Sequence, residues 1–509
     1  MTEQTRPSAV VIGGGPAGLT AAYYLIRRNV NVTVLEQDHQ VGGLARTVEY
    51  KGFRFDIGGH RFFTKVGPVR DLWHAMLGAN MLTRPRLSRI YYNSRYFDYP
   101  LKAVSAFRGL GIIESFRVLL SYIWIRIRPI RPEVSFEDWV SNRFGRRLYG
   151  IFFKTYTEKV WGIPCDRIGA QWAAQRIKGL SLVTAVINML FKRGGTEGGQ
   201  IKTLIDEFEY PRLGPGMMWE AFQADIADRG GHLLLSAKVR GLHHHNGRMT
   251  GVEFERGGAR TLLPADMVLS TMPLRELIES LSPAAPREVR DAAAALKYRD
   301  FLTIALILDT PDAFPDNWIY VHDPRVKLGR IQNFKNWSPE MVPDAGKTCL
   351  GLEYFCFEGD GLWTMSDPDL IALGTRELDA IGLLKGARVL DGAVVRMPKA
   401  YPVYDDGFVP ALDVVRRYLD GFTNFQAAGR NGMHKYNNQD HSMVTAILAA
   451  QNLLGARHDV WAVNADDEYH EEGGLDVSTL SEELLALHTT QPSVPMELPR
   501  LEEARGGGR

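Results

Sequence analysis

The stretch SAVVIGGGPAGLTAAYYLIRRNVNVTVLE, residues 8–36, decides the fold of this chain. A short apolar run ends at Gly13, a helical pattern begins at Pro16, and an alternating apolar segment follows at residues 30–35. Apolar residues at a period of two, then of about 3.6, then of two again indicate strand, helix and strand. The stretch therefore predicts a β-α-β unit.

The turn between the first strand and the helix contains residues that can bind a ligand. Gly13, Gly15 and Gly18 stand in a G-x-G-x-x-G arrangement, where backbone N–H groups and the helix dipole can bind a pyrophosphate. Glu36 ends the second strand, where a carboxylate can accept both hydroxyls of an adenosine ribose. The four residues predict a dinucleotide site.

Composition excludes several classes of protein. With 509 residues, 45% of them hydrophobic and 23% charged, the chain is an ordinary globular protein of two or three domains. Its formal net charge of +1 makes no field that would attract nucleic acid, so no nucleic-acid partner is expected. Cys165, Cys349 and Cys356 form no CxxC pair, which favours a reducing, cytoplasmic location and no metal site.

Residues 109–130 form the most lipid-like stretch, but Glu114, Arg117, Arg126 and Arg128 interrupt it. A bilayer span needs about 20 predominantly apolar residues. We interpret the stretch as a buried helix with one polar stripe, and attachment to a membrane surface stays as the alternative.

Patterns further along the chain predict an α/β fold. A Rossmann-like, discontinuous domain is expected to carry the dinucleotide site. A helical insertion interrupts it, since residues 66–208 look mostly helical, and a second domain holds a mixed or antiparallel sheet. The Asn246-Gly247 pair predicts a hairpin. The expected bounds are 8–75, 202–290 and 420–462 for the dinucleotide domain, 76–201 for the insertion, 291–419 for the sheet domain and 463–509 for a disordered tail.

A second glycine turn gives the first resemblance to a known family. In VGGLART, residues 41–47, Gly42 and Gly43 precede Arg46, whose guanidinium can meet a phosphate with two N–H groups. This string resembles the flavin superfamily of amine oxidases, protoporphyrinogen oxidases and UDP-galactopyranose mutases, in which the second turn also contacts FAD. The resemblance implies that the cofactor is FAD.

Three later stretches resemble the same superfamily. They are AKVRGL, whose Val239 would contact the adenine through its backbone, residues 265–273, and AAGRNG at residues 427–432. The last is similar to a late motif that places Gly429 and Arg430 against the phosphate and the flavin. Four separated elements therefore agree on FAD.

Within the superfamily, residues 10–450 most resemble UDP-galactopyranose mutases of the larger, eukaryotic kind. The matching strings are FDIGGHRFF (55–63), KVWGIPCDRIGAQWAAQRI (159–177), GRIQNFKNWSP (329–339), AYPV (400–403) and HKYNNQDHS (434–442). Residues 211–216 match only in part, and no nucleobase loop can be matched. The sugar and the base of a substrate are left open.

The resemblance also implies roles. Gly59 and His60 would lie beside the flavin ring, while Arg176 and Arg330 would bind the pyrophosphate of a nucleotide sugar. Two guanidiniums suit a diphosphate leaving group.

Tyr401 and Tyr436 are similar to the phosphate-contacting tyrosines of those mutases, so the resemblance assigns them to substrate binding. Phenol hydroxyls would add hydrogen bonds without adding charge.

Three functions remain open. The first is a nucleotide-sugar pyranose/furanose mutase, in which, as the resemblance implies, FAD reduced by NAD(P)H attacks the anomeric carbon as a nucleophile. The second is an FAD oxidoreductase of the amine oxidase or protoporphyrinogen oxidase type, with an apolar tunnel through the helical region. The third is a catalytically idle flavin-binding or membrane-associated scaffold in a glycan assembly complex.

Overall fold

A computed structural model of the protein describes residues 6–99, 101, 103–170, 207–405 and 407–463. The predictions for Arg176 and for the tail beyond residue 463 lie outside these residues. Element labels follow chain order among the described strands and helices.

A parallel sheet carries the predicted β-α-β unit. Its five strands run in the order β20-β13-β1-β2-β9, and each neighbouring pair is parallel. Most of their side chains are buried, as expected where both faces of a parallel sheet are covered. The strands are β1 (Ser8–Ile12), β2 (Asn31–Leu35), β9 (His232–Leu234), β13 (Met267–Ser270) and β20 (Phe425–Ala427).

Helices cover one face of this sheet and close the largest core, in which Trp73, Trp219 and Tyr23 are almost fully buried. Small alanines in the first helix let it pack closely against the last one. The helices are α1 (Pro16–Ile26), α2 (Gly67–Leu77), α8 (Gly216–Asp228) and α15 (Gln439–Leu453).

The opposite face packs on a smaller sheet in the order β12-β11-β10-β14. The predicted hairpin is confirmed, because β10 and β11 are antiparallel and Asn246 and Gly247 both have positive φ, as a tight two-residue turn requires. The elements of this layer are β10 (Lys238–His245), β11 (Arg248–Arg256), β12 (Ala259–Pro264), β14 (Leu281–Ser282), α9 (Leu274–Glu279), α10 (Arg287–Ala295) and α13 (Phe408–Leu419).

The second domain contains a seven-stranded sheet in the order β19-β15-β18-β17-β16-β6-β7. It is mixed, because β16 and β6 are parallel while the other neighbours are antiparallel. Its elements are β6 (Ser88–Tyr92), β7 (Arg95–Asp98), β15 (Tyr298–Leu308), β16 (Trp318–Val321), β17 (Arg330–Asn333), β18 (Thr348–Cys356), β19 (Val389–Pro402), α11 (Phe334–Trp337) and α12 (Asp367–Ala380).

The expectation that residues 66–208 are mostly helical is wrong for residues 81–98, which form three strands. Asn93 and Ser94 both have positive φ and join β6 to β7 in a tight hairpin, so this turn was a missed signal. Two antiparallel ribbons complete the strands: β3 (Thr47–Tyr50) pairs with β4 (Phe53–Asp56), and β5 (Met81–Pro85) pairs with β8 (Glu207–Pro211).

Helices fill the rest of the insertion around an aromatic core that includes Phe136, Trp139 and Phe152. Ser135 and Asp138 form a reciprocal capping box that begins the third of them. They are α3 (Ala103–Leu110), α4 (Ile112–Ile127), α5 (Phe136–Phe144), α6 (Arg146–Tyr149) and α7 (Thr155–Trp161). A short helix, α14 (Gly429–Gly432), follows the last strand.

The interpretation of residues 109–130 as a buried helix is wrong. Only Val118 and Ile125 of α4 are buried, while most of its apolar side chains face solvent. Within the described part of the chain, no helix combines the length and apolar character that crossing a bilayer would need.

Candidate active site

A cavity of about 1550 Å³ lies between the two sheets. The carboxyl ends of β1, β2, β13 and β20 open into it from one side, and side chains of β15, β16, β17 and β19 line the other. Crevices at the carboxyl ends of parallel strands are where such folds bind dinucleotides. Since pockets for one ligand usually measure about 300–1,000 Å³, this cavity has room for a dinucleotide and a second molecule.

Two glycine turns meet at the parallel-sheet side of the cavity. Gly13 has φ +102° and donates its N–H to the carbonyl of Leu35 at 2.8 Å. A Cβ on Gly15 would lie 3.8 Å from the Cα atom of Gly43, so the two predicted turns contact each other. Gly18 packs beneath this site, where a Cβ would lie 1.8 Å from the carbonyl oxygen of Gly13.

Glu36 lies at the end of β2, as predicted, and the residue is 8% exposed. It accepts hydrogen bonds from the backbone N–H groups of Gly14, at 2.5 Å, and Asp38, at 2.8 Å. Burial raises the pKa of this carboxyl, and the two backbone donors oppose that shift. These hydrogen bonds hold the carboxylate at the edge of the cavity.

Arg46 is buried at the second turn. Its Nη1 atom lies 3.1 Å from Oδ2 of Asp38 and donates to the carbonyl of Gly43 at 3.2 Å. Burial lowers the pKa of Arg46, although the carboxylates of Asp38 and Glu36 counteract the effect. Val239, at the start of β10, lines the cavity nearby.

The late glycine turn reaches the same cavity. Gly429 has φ +80°, and a Cβ there would lie 2.8 Å from the Cβ of Ala17 on α1. Arg430 donates from Nε to the carbonyl of Asn437 at 3.0 Å and from Nη1 to the carbonyl of Ala400 at 3.1 Å. Among the described residues no carboxylate forms an ion pair with Arg430, so its charge is available to an anion.

The cradle fits FAD. All the predicted cofactor residues border the cavity except Gly18, whose missing side chain lets α1 approach the first turn. At Gly18 and Gly429 a Cβ would collide with backbone or with α1, so the close approach needs glycine. Thr271, which lies in the predicted stretch 265–273 but was not singled out there, also borders the cavity and donates its hydroxyl to the carbonyl of Ile12 at 2.8 Å.

Gly59 and His60 lie between the two sides of the cavity. A Cβ on Gly59 would lie 2.8 Å from Nε2 of Gln332, so only glycine fits there without a shift. Nδ1 of His60 lies 3.1 Å from the carbonyl oxygen of Gly58. Burial and the nearby charges of Arg430 and Arg330 lower the pKa of His60 to about 3, so the imidazole is neutral.

Arg330 is held on the opposite wall by a buried carboxylate. Its Nε donates to Oε2 of Glu353 at 2.5 Å, while Nε2 of Gln332 donates to Oε1 of the same carboxylate at 2.7 Å. Burial by itself would lower the pKa of Arg330, but Glu353 and the surrounding phenols raise it well above its ordinary value. The guanidinium is therefore always charged and fixed in direction.

Tyr401 and Tyr436 stack with ring centroids 5.6 Å apart and planes 13° apart. The guanidinium of Arg430 lies 4.7 Å from the centroid of the Tyr436 ring and 5.4 Å from that of Tyr401. Burial raises the pKa of Tyr401, so its phenol keeps its proton. The structure thus brings both predicted tyrosines to the cavity.

Sequence reasoning missed further polar residues on this wall. Tyr320 on β16 lies 4.5 Å from Tyr99 and 5.5 Å from Tyr156, measured between ring centroids. Arg86 lies 5.5 Å from the ring centroid of Trp318. Pairing of β16 with β6 assembles this group, so only the unrecognised strand at residues 88–92 could have pointed to it.

An apolar arm extends the cavity towards the helical insertion. It is lined by Ile90, Leu101, Phe136, Phe152 and Phe153. Arg176, predicted as the second phosphate-binding arginine, lies outside the described residues.

Comparisons with known proteins agree with this geometry. The sequence profile of the family described as flavin containing amine oxidoreductase matches residues 16–389. The carotenoid phi-ring synthase of Chlorobaculum tepidum is 23% identical over 303 residues, which are 55% of this chain and 44% of that protein. The chain therefore matches less than half the length of that relative.

Solved structures share the fold. Reduced UDP-galactopyranose mutase superimposes with a TM-score of 0.77 at 22% identity, covering 91% of this chain and 98% of the mutase. Putrescine oxidase bound to putrescine gives a TM-score of 0.57 at 16% identity, over 89% and 99% of the two chains. At these identities the likeness shows the fold, and it confirms the Rossmann-like α/β class with a second sheet.

Proposed function

Because the chain belongs to the flavin-containing amine oxidoreductase family and its cofactor is FAD, we propose that it is a nucleotide-sugar mutase that interconverts pyranose and furanose forms. When bound and reduced, FAD supplies a nucleophile for the anomeric carbon. The protein's own residues must then bind the diphosphate, orient the sugar and exclude water.

The observation that carries the proposal is a set of hydrogen-bond donors suited to a diphosphate, on the wall opposite the cofactor cradle. Arg330 presents a permanent charge held by Glu353, and Tyr320 and Tyr401 border the same space. Charged and neutral donors together stabilise a departing diphosphate better than water does, since they are already oriented. An amine substrate would meet repulsion here.

Charge around the cavity supports the same conclusion. Within the described part of the chain, Arg86 and Arg430 have no ion-pair partner. The carboxylate of Glu353 does not compensate them, because it already forms an ion pair with Arg330. An anion that entered would offset charge that the protein leaves uncompensated. The two arginines and the phenols thus favour a phosphorylated substrate over a cationic one.

His60 adds a hydrogen-bond acceptor. The carbonyl of Gly58 can only accept a hydrogen bond, so the proton of the neutral ring lies on Nδ1 and Nε2 is free to accept. A neutral imidazole at this place can hold a sugar hydroxyl in one orientation. We assign His60 to positioning.

A second function, an FAD oxidoreductase, is favoured by the apolar arm. Phe136, Phe152 and Phe153 border it, as a long apolar or ring substrate would require. In that case the guanidinium of Arg330 would bind an acidic group of the substrate.

The experiment that separates the two uses purified protein containing FAD. The flavin is reduced with dithionite or with NAD(P)H without oxygen, and UDP- and TDP-furanose sugars are added. Conversion to the pyranose by the reduced protein, with none by the oxidised protein, is expected. Arg330→Lys should weaken nucleotide binding. The control Arg260→Lys, whose side chain is exposed on β12, should not.

If no nucleotide sugar is converted and none perturbs the spectrum of the reduced flavin, the mutase proposal is wrong. Steady consumption of oxygen or a quinone with an apolar substrate would then support the oxidoreductase.

A further inference from the structure

We infer that the outer face of α4 is a docking surface for anionic lipid bilayers. Eight of the fifteen large apolar side chains that are exposed in the described residues lie on this one helix. Ile112 is 91% exposed, Ile127 69%, Phe116 60% and Trp124 58%. Single exposed apolar side chains are common on soluble proteins, but a continuous face marks an interaction site.

The exposed apolar side chains form one stripe. At 3.6 residues per turn, the eight exposed apolar side chains cover an arc of roughly 140° around the helix axis. Leu119 lies at one edge of this arc and Trp124 at the other. Between them, in order around the helix, lie Ile112, Ile123, Phe116, Ile127, Leu120 and Ile113. Val118 and Ile125 point the other way and are buried, and Val118 packs into the aromatic core of the insertion. The helix is therefore attached by a narrow face and presents a wide apolar one.

Arginines flank the stripe on both sides. Arg126 lies just beyond Leu119 on the helix, and Arg117 and Arg128 lie just beyond Trp124. The single acidic residue of the helix, Glu114, faces inward and pairs with Arg147 and Arg117. An apolar stripe between cationic edges, with no exposed carboxylate, complements the headgroups of anionic lipids.

The position of Trp124 also favours a bilayer as the partner of this helix face. Its ring lies at the edge of the stripe, with the guanidinium of Arg128 5.0 Å from its centroid. Tryptophan and arginine side chains at such an edge can remain in the interfacial region while the aliphatic side chains enter the acyl chains. An apolar stripe between two cationic edges matches the layers of an anionic bilayer, in which charged headgroups lie over acyl chains.

The test uses the full-length protein with FAD bound and vesicles in a flotation assay. Binding is expected to vesicles of phosphatidylcholine mixed with phosphatidylglycerol, and to be weakened by salt and by omitting phosphatidylglycerol. The triple variant Ile112→Ser/Phe116→Ser/Ile123→Ser should lose at least about ten-fold in affinity. The matched control, Leu262→Ser/Leu390→Ser, removes exposed apolar side chains elsewhere and should bind like the parent.

The charge contribution is tested separately. Arg126→Gln and Arg128→Gln should each weaken binding by about five-fold, the factor that ~1 kcal/mol per basic residue gives. Arg287→Gln, a control whose side chain is 87% exposed on α10, should have no effect.

A fluorophore separates a bilayer from other occupants. Cys165, Cys349 and Cys356 are buried, so Ile123→Cys gives a selective labelling site on the stripe. An environment-sensitive dye there should report water in free protein and an apolar surrounding after vesicles are added. If the dye is already shielded, either a second copy, shown by dependence on protein concentration, or residues 171–206 cover the face, and the inference is wrong. Absence of binding to anionic vesicles would also overturn it.

Discussion

Arg330 and Glu353 face each other across the antiparallel strands β17 and β18, and the Nε atom of Arg330 donates to Oε2 of Glu353 at 2.5 Å. Glu353 is fully buried, and its second oxygen accepts from Gln332. One carboxylate thus fixes two side chains that border the cavity. The pair decides where the charge opposite the cofactor points.

Removing that carboxylate should destabilise the fold. We expect Glu353→Gln to lower the free energy of unfolding by about 3 kcal/mol, because the buried Arg330 loses its counterion. The double variant with Arg330→Gln should cost less than the sum of the two single changes, since no unpaired charge is left. Urea denaturation of the FAD-bound protein measures both, and additive costs would show that the pair is not coupled.

The stacked tyrosines should contribute to nucleotide binding if the proposed function holds. Tyr401→Phe and Tyr436→Phe are each expected to weaken UDP affinity by roughly five-fold, the effect of about 1 kcal/mol for one lost hydrogen bond. Titration of the flavin spectrum with UDP measures this. Tyr418→Phe on α13, remote from the cavity, is the control, and an equal loss there would contradict a direct role.

Flavin retention should depend on Gly18. In Gly18→Ala the new Cβ would lie 1.8 Å from the carbonyl oxygen of Gly13, so α1 must move away from the first turn. We expect the purified variant to lose most of its FAD, measured as the absorbance ratio of flavin to protein. Gly67→Ala has open space and an ordinary φ, and should retain the parent's flavin content.

Asp56 should make stability depend on pH. Burial raises its pKa to about 8, well above the unfolded reference of 3.8, although Tyr210 and Thr47 donate to it. Between these two values the folded state keeps a proton that the unfolded state releases, so stability falls as pH rises from about 4 to about 8. Asp56→Asn cannot ionise, so its Tm relative to the parent should rise between about pH 4 and about pH 8 and stay constant above that. A constant difference across this window would contradict a raised pKa.

Local patterns predicted the turn and the strand end that border the cavity on the parallel-sheet side. Gly13, Gly15, Gly18 and Glu36 lie within one β-α-β unit, so their spacing along the chain is close to their arrangement in space. The Asn246-Gly247 hairpin was predictable for the same reason, because a two-residue turn with positive φ depends on those residues alone.

The substrate half of the site was harder to predict from the sequence. Arg330, Tyr401 and Tyr436 were expected there only through family resemblance, and their roles stay predictions. Tyr320 and Arg86 were missed, because pairing of β16 with β6 brings together parts of the chain more than 200 residues apart.

The sequence by itself determined a dinucleotide cradle, its preference for FAD through the resemblance of its separated motifs, and the alternation of helices and strands. These depend on local periodicity and on where glycine is required. Only the tertiary structure decided that Glu353 holds Arg330 and that the described residues leave the apolar face of α4 uncovered. Periodicity shows that a helix has an apolar face, but whether that face is buried depends on which distant segments pack against it.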